Sequence, residues 1–178
     1  MKHVCLALLC LFCAACTTFE NPIVADGGPA LDEALIGHWS AVKDASRVDI
    51  VITRNGAEGK LAFTAIEPGK EPETGDLRLV TARIERHDFG SVQEQGTGSR
   101  SWRFFRYELA APGRLTIYSD SGNFWVDAVD NKQVAGKVEG TNVRSVVVTA
   151  SSDELRAIVQ GYGAVIFSDE PLVEFRKE

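Results

Sequence analysis

Apolar residues recur at every second position through most of this chain, the spacing of strands that bury one face and wet the other. Val48, Ile50 and Ile52 share one parity, as do Leu61, Phe63 and Ala65, and Asn55-Gly56 between the two runs has the turn chemistry of a tight hairpin. In residues 76–89, Leu77 and Leu79 fall on one parity and Val80, Ala82 and Ile84 on the other, which predicts a bulge near residue 80. Further strands are expected over 100–109 and 114–118, joined through Ala111-Pro112-Gly113. Others are expected over 134–139, 143–149 and 171–176, the last a candidate to close the sheet.

Helical signals are few. Ser151 and Glu154 are spaced as a capping box, and Leu155, Ile158 and Val159 then form one helical stripe, so a short helix is expected over 152–160, ended by Gly161. Residues 123–129 fit helical spacing through Phe124 and Ala128 and through Trp125 and Val129; a short helix is the preferred reading and a strand the alternative. Regular antiparallel strands with so little helix predict a mainly β fold. The expectation is an antiparallel β-barrel or strongly curved sheet, with a sandwich as the alternative, and one or two short helices near the C-terminus.

The N-terminus has a different character. Lys2 supplies a short positive segment, and residues 4–15 are an uncharged run of twelve, too short to span a bilayer and suited to the apolar region of an export signal. All four cysteines (Cys5, Cys10, Cys13 and Cys16) lie within the first sixteen residues, so the body carries neither a disulfide framework nor thiol chemistry. From Thr17 to about Glu33 the chain contains Asn21-Pro22 and Asp26-Gly27-Gly28-Pro29 and few large apolar residues, the composition of a flexible tether. The expected organisation is a signal peptide over 1–15, a tether over 16–34 and a single β-rich domain over 35–178.

Phe12-Cys13-Ala14-Ala15-Cys16 resembles the lipobox of bacterial lipoproteins, with Cys13 standing where leucine is usual. The resemblance implies that Cys16 becomes the first residue and carries lipid, palmitate among its acyl chains. It also implies that the protein is anchored in the cell envelope, and that Thr17 directs it to the outer membrane, facing the periplasm. Two or more chains, at about 0.8 kcal/mol per buried methylene, hold a protein stably where one would not.

Gly37-His38-Trp39, on the first expected strand, resembles the Gly-x-Trp signature of lipocalins and lipocalin-like barrels, in which the tryptophan packs across one end of the barrel. Residues 146–149, the capped helix and Phe167 are similar to stretches of uncharacterised small envelope lipoproteins, from which no activity carries over.

Charge and motif content narrow the chemistry. The formal charge is −6, and removing residues 1–15 takes away Lys2 and no acid, leaving −7, which disfavours nucleic acid and anionic headgroups as partners. After residue 15 the histidines are His38 and His87, far apart and without a second ligand at metal spacing, so no metal or other cofactor is expected. His87-Asp88 reads as a solvated turn, Gly96-Thr97-Gly98 as a flexible connection, and Ser121-Gly122 lacks an identifiable base; no catalytic residue is assigned and the chain is not read as an enzyme.

The most unusual stretch is Arg100-Ser101-Trp102-Arg103-Phe104-Phe105-Arg106-Tyr107. Trp102, Phe104 and Arg106 point one way and Arg103, Phe105 and Tyr107 the other, so both faces carry aromatic surface and the second must meet a helix, a partner or a ligand. Two function classes follow. In one, Trp39, Trp102, Phe104, Phe105 and Tyr107 help line a lipocalin-like cavity for a small apolar molecule. In the other, the protein is a structural or interaction lipoprotein with a filled barrel that meets another envelope protein. An internal cavity separates them.

Overall fold

The computed structural model describes residues 16–24, 26–43, 45–95, 101–140 and 144–178, with the backbone alone at residue 16. Residues 1–15, over which an export signal is expected, the Gly96-Thr97-Gly98 connection, Arg100 and Val143 lie outside the described residues.

Eight strands close into an antiparallel barrel: β2 (Gly37–Lys43), β3 (Ser46–Asn55), β4 (Glu58–Ile66), β5 (Glu73–Ile84), β6 (His87–Glu94), β7 (Trp102–Ala110), β8 (Arg114–Ser119) and β11 (Val173–Lys177). Neighbours in sequence pair from β2 to β8, and β11 joins β8 to β2 to complete the circle. The Asn55-Gly56 hairpin forms as expected, with Asn55 opposite Glu58 and Gly56 in the left-handed region (φ 66°).

Between β8 and β11 the chain makes an excursion. It contains α1 (Gly122–Asp130), β9 (Gly136–Glu139), β10 (Ser145–Val148) and α2 (Ser152–Ile166). These pack outside the barrel with β1 (Cys16–Phe19), which runs parallel to β10 and touches the barrel where Phe19 pairs with Trp102. The protein therefore has two apolar cores. The first fills the barrel and includes Trp39, Ile50, Leu61, Leu79, Phe105, Leu115 and Phe175. The second lies between the outer face of β5–β7 and the annex, and includes Val80, Phe89, Phe104, Trp125, Val148, Leu155 and Ile166.

Two-sided burial replaces the expected bulge. The registers of β5 with β4 and with β6 run without interruption, and Leu77 and Leu79 belong to the inner core while Val80, Ala82 and Ile84 belong to the outer one. The parity switch marks where the annex begins to cover β5, not an extra residue. Residues 123–129 are helical, with Trp125, Val126 and Ala128 buried. The capping box at Ser151 and Glu154 forms, but α2 continues through Gly161 and Gly163 to Ile166, because both glycines face open space while Ile166 and Phe167 are drawn into the outer core.

The segment read as a tether departs most from expectation. Thr17 is 4% exposed, Phe19 1%, Ile23 1% and Leu31 8%. Phe19 stacks on Phe104 with ring centroids 3.7 Å apart and meets Trp125 edge-on at 4.9 Å. Residues 20–24 and 26–32 then cross the outside of β6 and β5: Ile23 N–H donates to Ser91 Oγ, Thr81 N–H to the Ala30 carbonyl and Asp32 N–H to Thr81 Oγ1. Composition predicted freedom, yet a few apolar residues at the right positions dock the whole strap.

Burial of one such side chain contributes about 1.5–3 kcal/mol, and a domain of this size is stable by only about 5–15 kcal/mol. A chain begun at Leu35 loses Phe19, Ile23 and Leu31 together. Its denaturant midpoint is expected to fall by an amount equivalent to roughly 5 kcal/mol or more against a chain begun at Thr17; equal midpoints would show the strap to be dispensable.

Candidate functional site

Of the five aromatic residues singled out in the sequence, Trp39, Phe105 and Tyr107 meet inside the barrel. Trp39 is 1% exposed and its indole Nε1 donates to the Leu35 carbonyl at 2.8 Å. Leu35 ends a short 3-10 turn (Glu33–Leu35) whose cap, Asp32, accepts Ala34 N–H on Oδ1 and the Tyr107 hydroxyl on Oδ2. Burial, followed by the adjacent Asp32 charge, raises the Tyr107 hydroxyl well above the ordinary phenol range and keeps it a neutral donor. Residues 31–36 thus plug the end of the barrel over which Trp39 packs.

Higher in the lumen, rings lie across glycines. A Cβ built on Gly90 would stand 2.1 Å from the Phe105 ring, and one on Gly75 2.7 Å from Phe63; each glycine is the cross-strand partner of the ring that covers it. Aromatic surface occupies the volume that two side chains would otherwise take. At these two positions the lumen is taken up by the protein's own rings.

Trp102 and Phe104 lie on the other side of β7, in the outer core. Phe104 is covered by Phe19, and Trp102 carries the Arg78 guanidinium 5.1 Å from its ring centroid. Arg78 is forked onto Glu58, whose carboxyl this partner holds below the ordinary range. The five residues therefore do not converge on one cavity: the β7 backbone divides them three and two.

One groove among the described residues went unnoticed in the sequence. It measures about 480 Å³ and is lined by residues 40–43 of β2 and by Pro171, Leu172, Val173, Glu174 and Arg176 at and before β11. Here the barrel wall is incomplete. β2 pairs with β3 over seven positions but with β11 only at Ser40–Arg176 and Trp39–Lys177. A further bond runs from Glu178 N–H to the His38 carbonyl, and beyond Ser40 no further pair of the two strands is bonded among the described residues. Lys43 Nζ spans the top of the gap to the Leu172 carbonyl at 3.2 Å. Local sequence carries no signal for this, because the register of two strands about 130 residues apart is not written in either.

The titratable candidates are dispersed. His38 lies 3.8 Å from Asp49 and 3.9 Å from Glu178, and Arg47 pairs with both acids. At the β5–β6 turn, Asp88 faces Arg83 at 3.3 Å, and burial raises its carboxyl. Among the described residues no group of three metal-capable side chains comes together.

One buried acid stands apart. Asp120 follows β8 and bridges to Phe167, and its Oδ2 and the Trp125 indole Nε1 are both buried without a hydrogen-bond partner. Burial pushes the Asp120 carboxyl up to about 7, an effect that its own backbone amide and the Arg103 charge offset only in part. The folded chain thus binds a proton that the unfolded chain releases near pH 4. The associated stability is complete below that pH and is lost as pH rises through about 7. Asp120→Asn keeps the uncharged form at every pH, and should raise the midpoint at pH 8 by about 1–2 kcal/mol with little change at pH 4. Urea titrations at the two pH values test this; an identical effect at both would rule out a titrating Asp120.

Compared with protein-family models, curated proteins and solved structures, the chain matches none of them.

Proposed function

We propose that this chain is an exported lipoprotein, acylated at Cys16 and held at the outer membrane facing the periplasm, whose filled barrel presents its outer surface to another envelope protein. In this reading it is a non-catalytic scaffold. The observation that carries it is the lumen. Trp39, Phe105 and Tyr107, the residues that would line a ligand cavity, are packed against Leu35, Asp32 and Gly90 instead. A carrier of apolar molecules needs several hundred Å³ of enclosed apolar space, and rings packed across the lumen speak against it. The aromatic excess on the second face of β7 is covered by the chain's own annex, which removes the other argument for a ligand.

The position of β1 supports a close anchor. Thr17, next to Cys16, is already buried in the sheet, so no slack separates the acylated residue from the folded body. A lipid at that point draws the end of the β1–β10–β9 sheet against the headgroups and leaves the barrel seam, two strands round from β7, free to meet a partner.

Metabolic labelling with a radioactive fatty acid should mark the wild-type protein and disappear in Cys16→Ser; label that persists would refute the anchor. The wild-type domain should give no saturable signal with a fluorescent fatty acid and yield no co-purified lipid. Saturable binding that Phe105→Ala abolishes, with the far-UV spectrum unchanged, would return the small-ligand reading to the front.

A further inference from the structure

The seam between β2 and β11 is an interrupted ladder. Glu178 N–H bonds to the His38 carbonyl, so the main-chain groups of His38 face β11, and the two-residue alternation of an antiparallel strand turns those of Ser40 and Val42 the same way. On the other side, Lys177 N–H bonds to the Gly113 carbonyl of the β7–β8 turn, which leaves Glu178, Arg176 and Glu174 facing β2. The ladder is made at His38–Glu178 and at Ser40–Arg176. The next pair in register is Val42 with Glu174, and among the described residues it does not form. Both residues line the groove of about 480 Å³, and Val42 is 72% exposed.

Two strand edges therefore point donors and acceptors at each other across a gap. An apolar ligand would leave those groups unmet, whereas an extended backbone meets both edges at once. The side-chain lining agrees with a strand. Ala41 and Val173 are buried and belong to the barrel core, Ser40 and Arg176 flank the outer side, and the open positions 41–43 span about 10 Å, room for about three residues at strand rise. Charge selects further. Glu174 is already compensated by Arg176 at 3.6 Å and by Arg114 at 3.9 Å, while among the described residues no carboxylate pairs with Lys43 at the top of the gap. Lys43 and Pro171 cap that end, as edge strands are commonly protected, and they leave the main chain of Val42 and Glu174 uncovered.

We propose that this seam binds an extended segment of the partner protein as an added strand between β2 and β11, with small apolar residues turned inward and an acidic residue against Lys43. The inference rests on the partner reading above and names the chemistry of that partner.

Amide exchange and peptide binding on the full chain, kept in detergent, test it. In the free protein the Val42 and Glu174 amides should exchange far faster than those of Ser40 and Arg176. Two fluorescein-labelled peptides of six alternating valines and threonines, one with an aspartate at the amino end and one at the carboxyl end, serve as probes. At least one should bind saturably and slow exchange at Val42 and Glu174; the same peptides with lysine in place of aspartate should bind more weakly. Val42→Pro removes a donor that faces the gap and none that faces β3, and should weaken binding about tenfold without moving the melting temperature. Lys43→Glu, a surface change, should do the same. Slow exchange at Val42 and Glu174 in the free protein, or saturable binding of neither peptide, would overturn the site. An envelope protein crosslinked through the exposed Tyr162 and Val165 of α2 instead would leave the partner reading standing and refute the seam.

Discussion

Strand β7 carries large rings on both faces, and the rest of the architecture answers that constraint. Phe105 and Tyr107 require an enclosed lumen on one side, and Trp102 and Phe104 require cover on the other. Each ring removes about 150–250 Å² from water only if something apolar closes over it. The barrel supplies the first enclosure. The second is assembled from parts remote in sequence: Phe19 from the N-terminal strap, Trp125 from α1, and the α2 stripe of Leu155 and Val159. Remove any of these and the outer face of the β5–β7 wall is exposed, though the barrel's hydrogen-bonded ladder is untouched.

This arrangement explains why the excursion between β8 and β11 is tolerated in the middle of a closed barrel. Its ends are tied at one place, where Ser121 N–H meets the Ile166 carbonyl, Ser168 N–H meets the Ser119 carbonyl, and Asp120 bridges to Phe167. The chain leaves and re-enters the barrel through a single crossing, so β11 can resume beside β8 as though the helices were absent. The same crossing traps the Asp120 carboxyl and the Trp125 indole away from water, a polar fault at the joint between two cores. Stability of the joint is therefore tied to proton binding there, whereas the exposed ion pairs around the rim, such as Lys60 with Asp76, are screened and contribute little.

Barrel closure and barrel opening sit side by side. The bottom is sealed by Trp39, Leu35 and the Tyr107–Asp32 bond, with Lys177 over the Trp39 ring at 5.1 Å. Three residues higher the same strand pair has parted. A strand of five residues returning from a long excursion meets β8 over four positions and β2 over two, because the twist that brings it alongside one neighbour swings it away from the other. Buried core residues such as Ala41, Val173 and Phe175 back the gap, which forms a polar-edged cleft on the outer wall.

Read alone, the sequence determined the strand parity, the Asn55-Gly56 hairpin, the capped start of α2 and the mainly β class, because each depends on residues within a few positions of one another. Tertiary structure alone decided the rest. Alternation reports how many faces of a strand are buried but not by what, so the parity switch at residue 80 read as a bulge when the annex had covered the second face. A composition of glycine, proline and acids read as a tether because Phe19, Ile23 and Leu31 are too widely spaced to form a local pattern, yet each meets residues remote in sequence: Phe104 and Trp125 at Phe19, Ser91 at Ile23 and Gly59 at Leu31. Gly161 read as a helix end because the pull of Ile166 and Phe167 toward the outer core comes from β6 and β8. Local sequence sets what a segment can be; the burial available from distant segments selects which of those states is occupied.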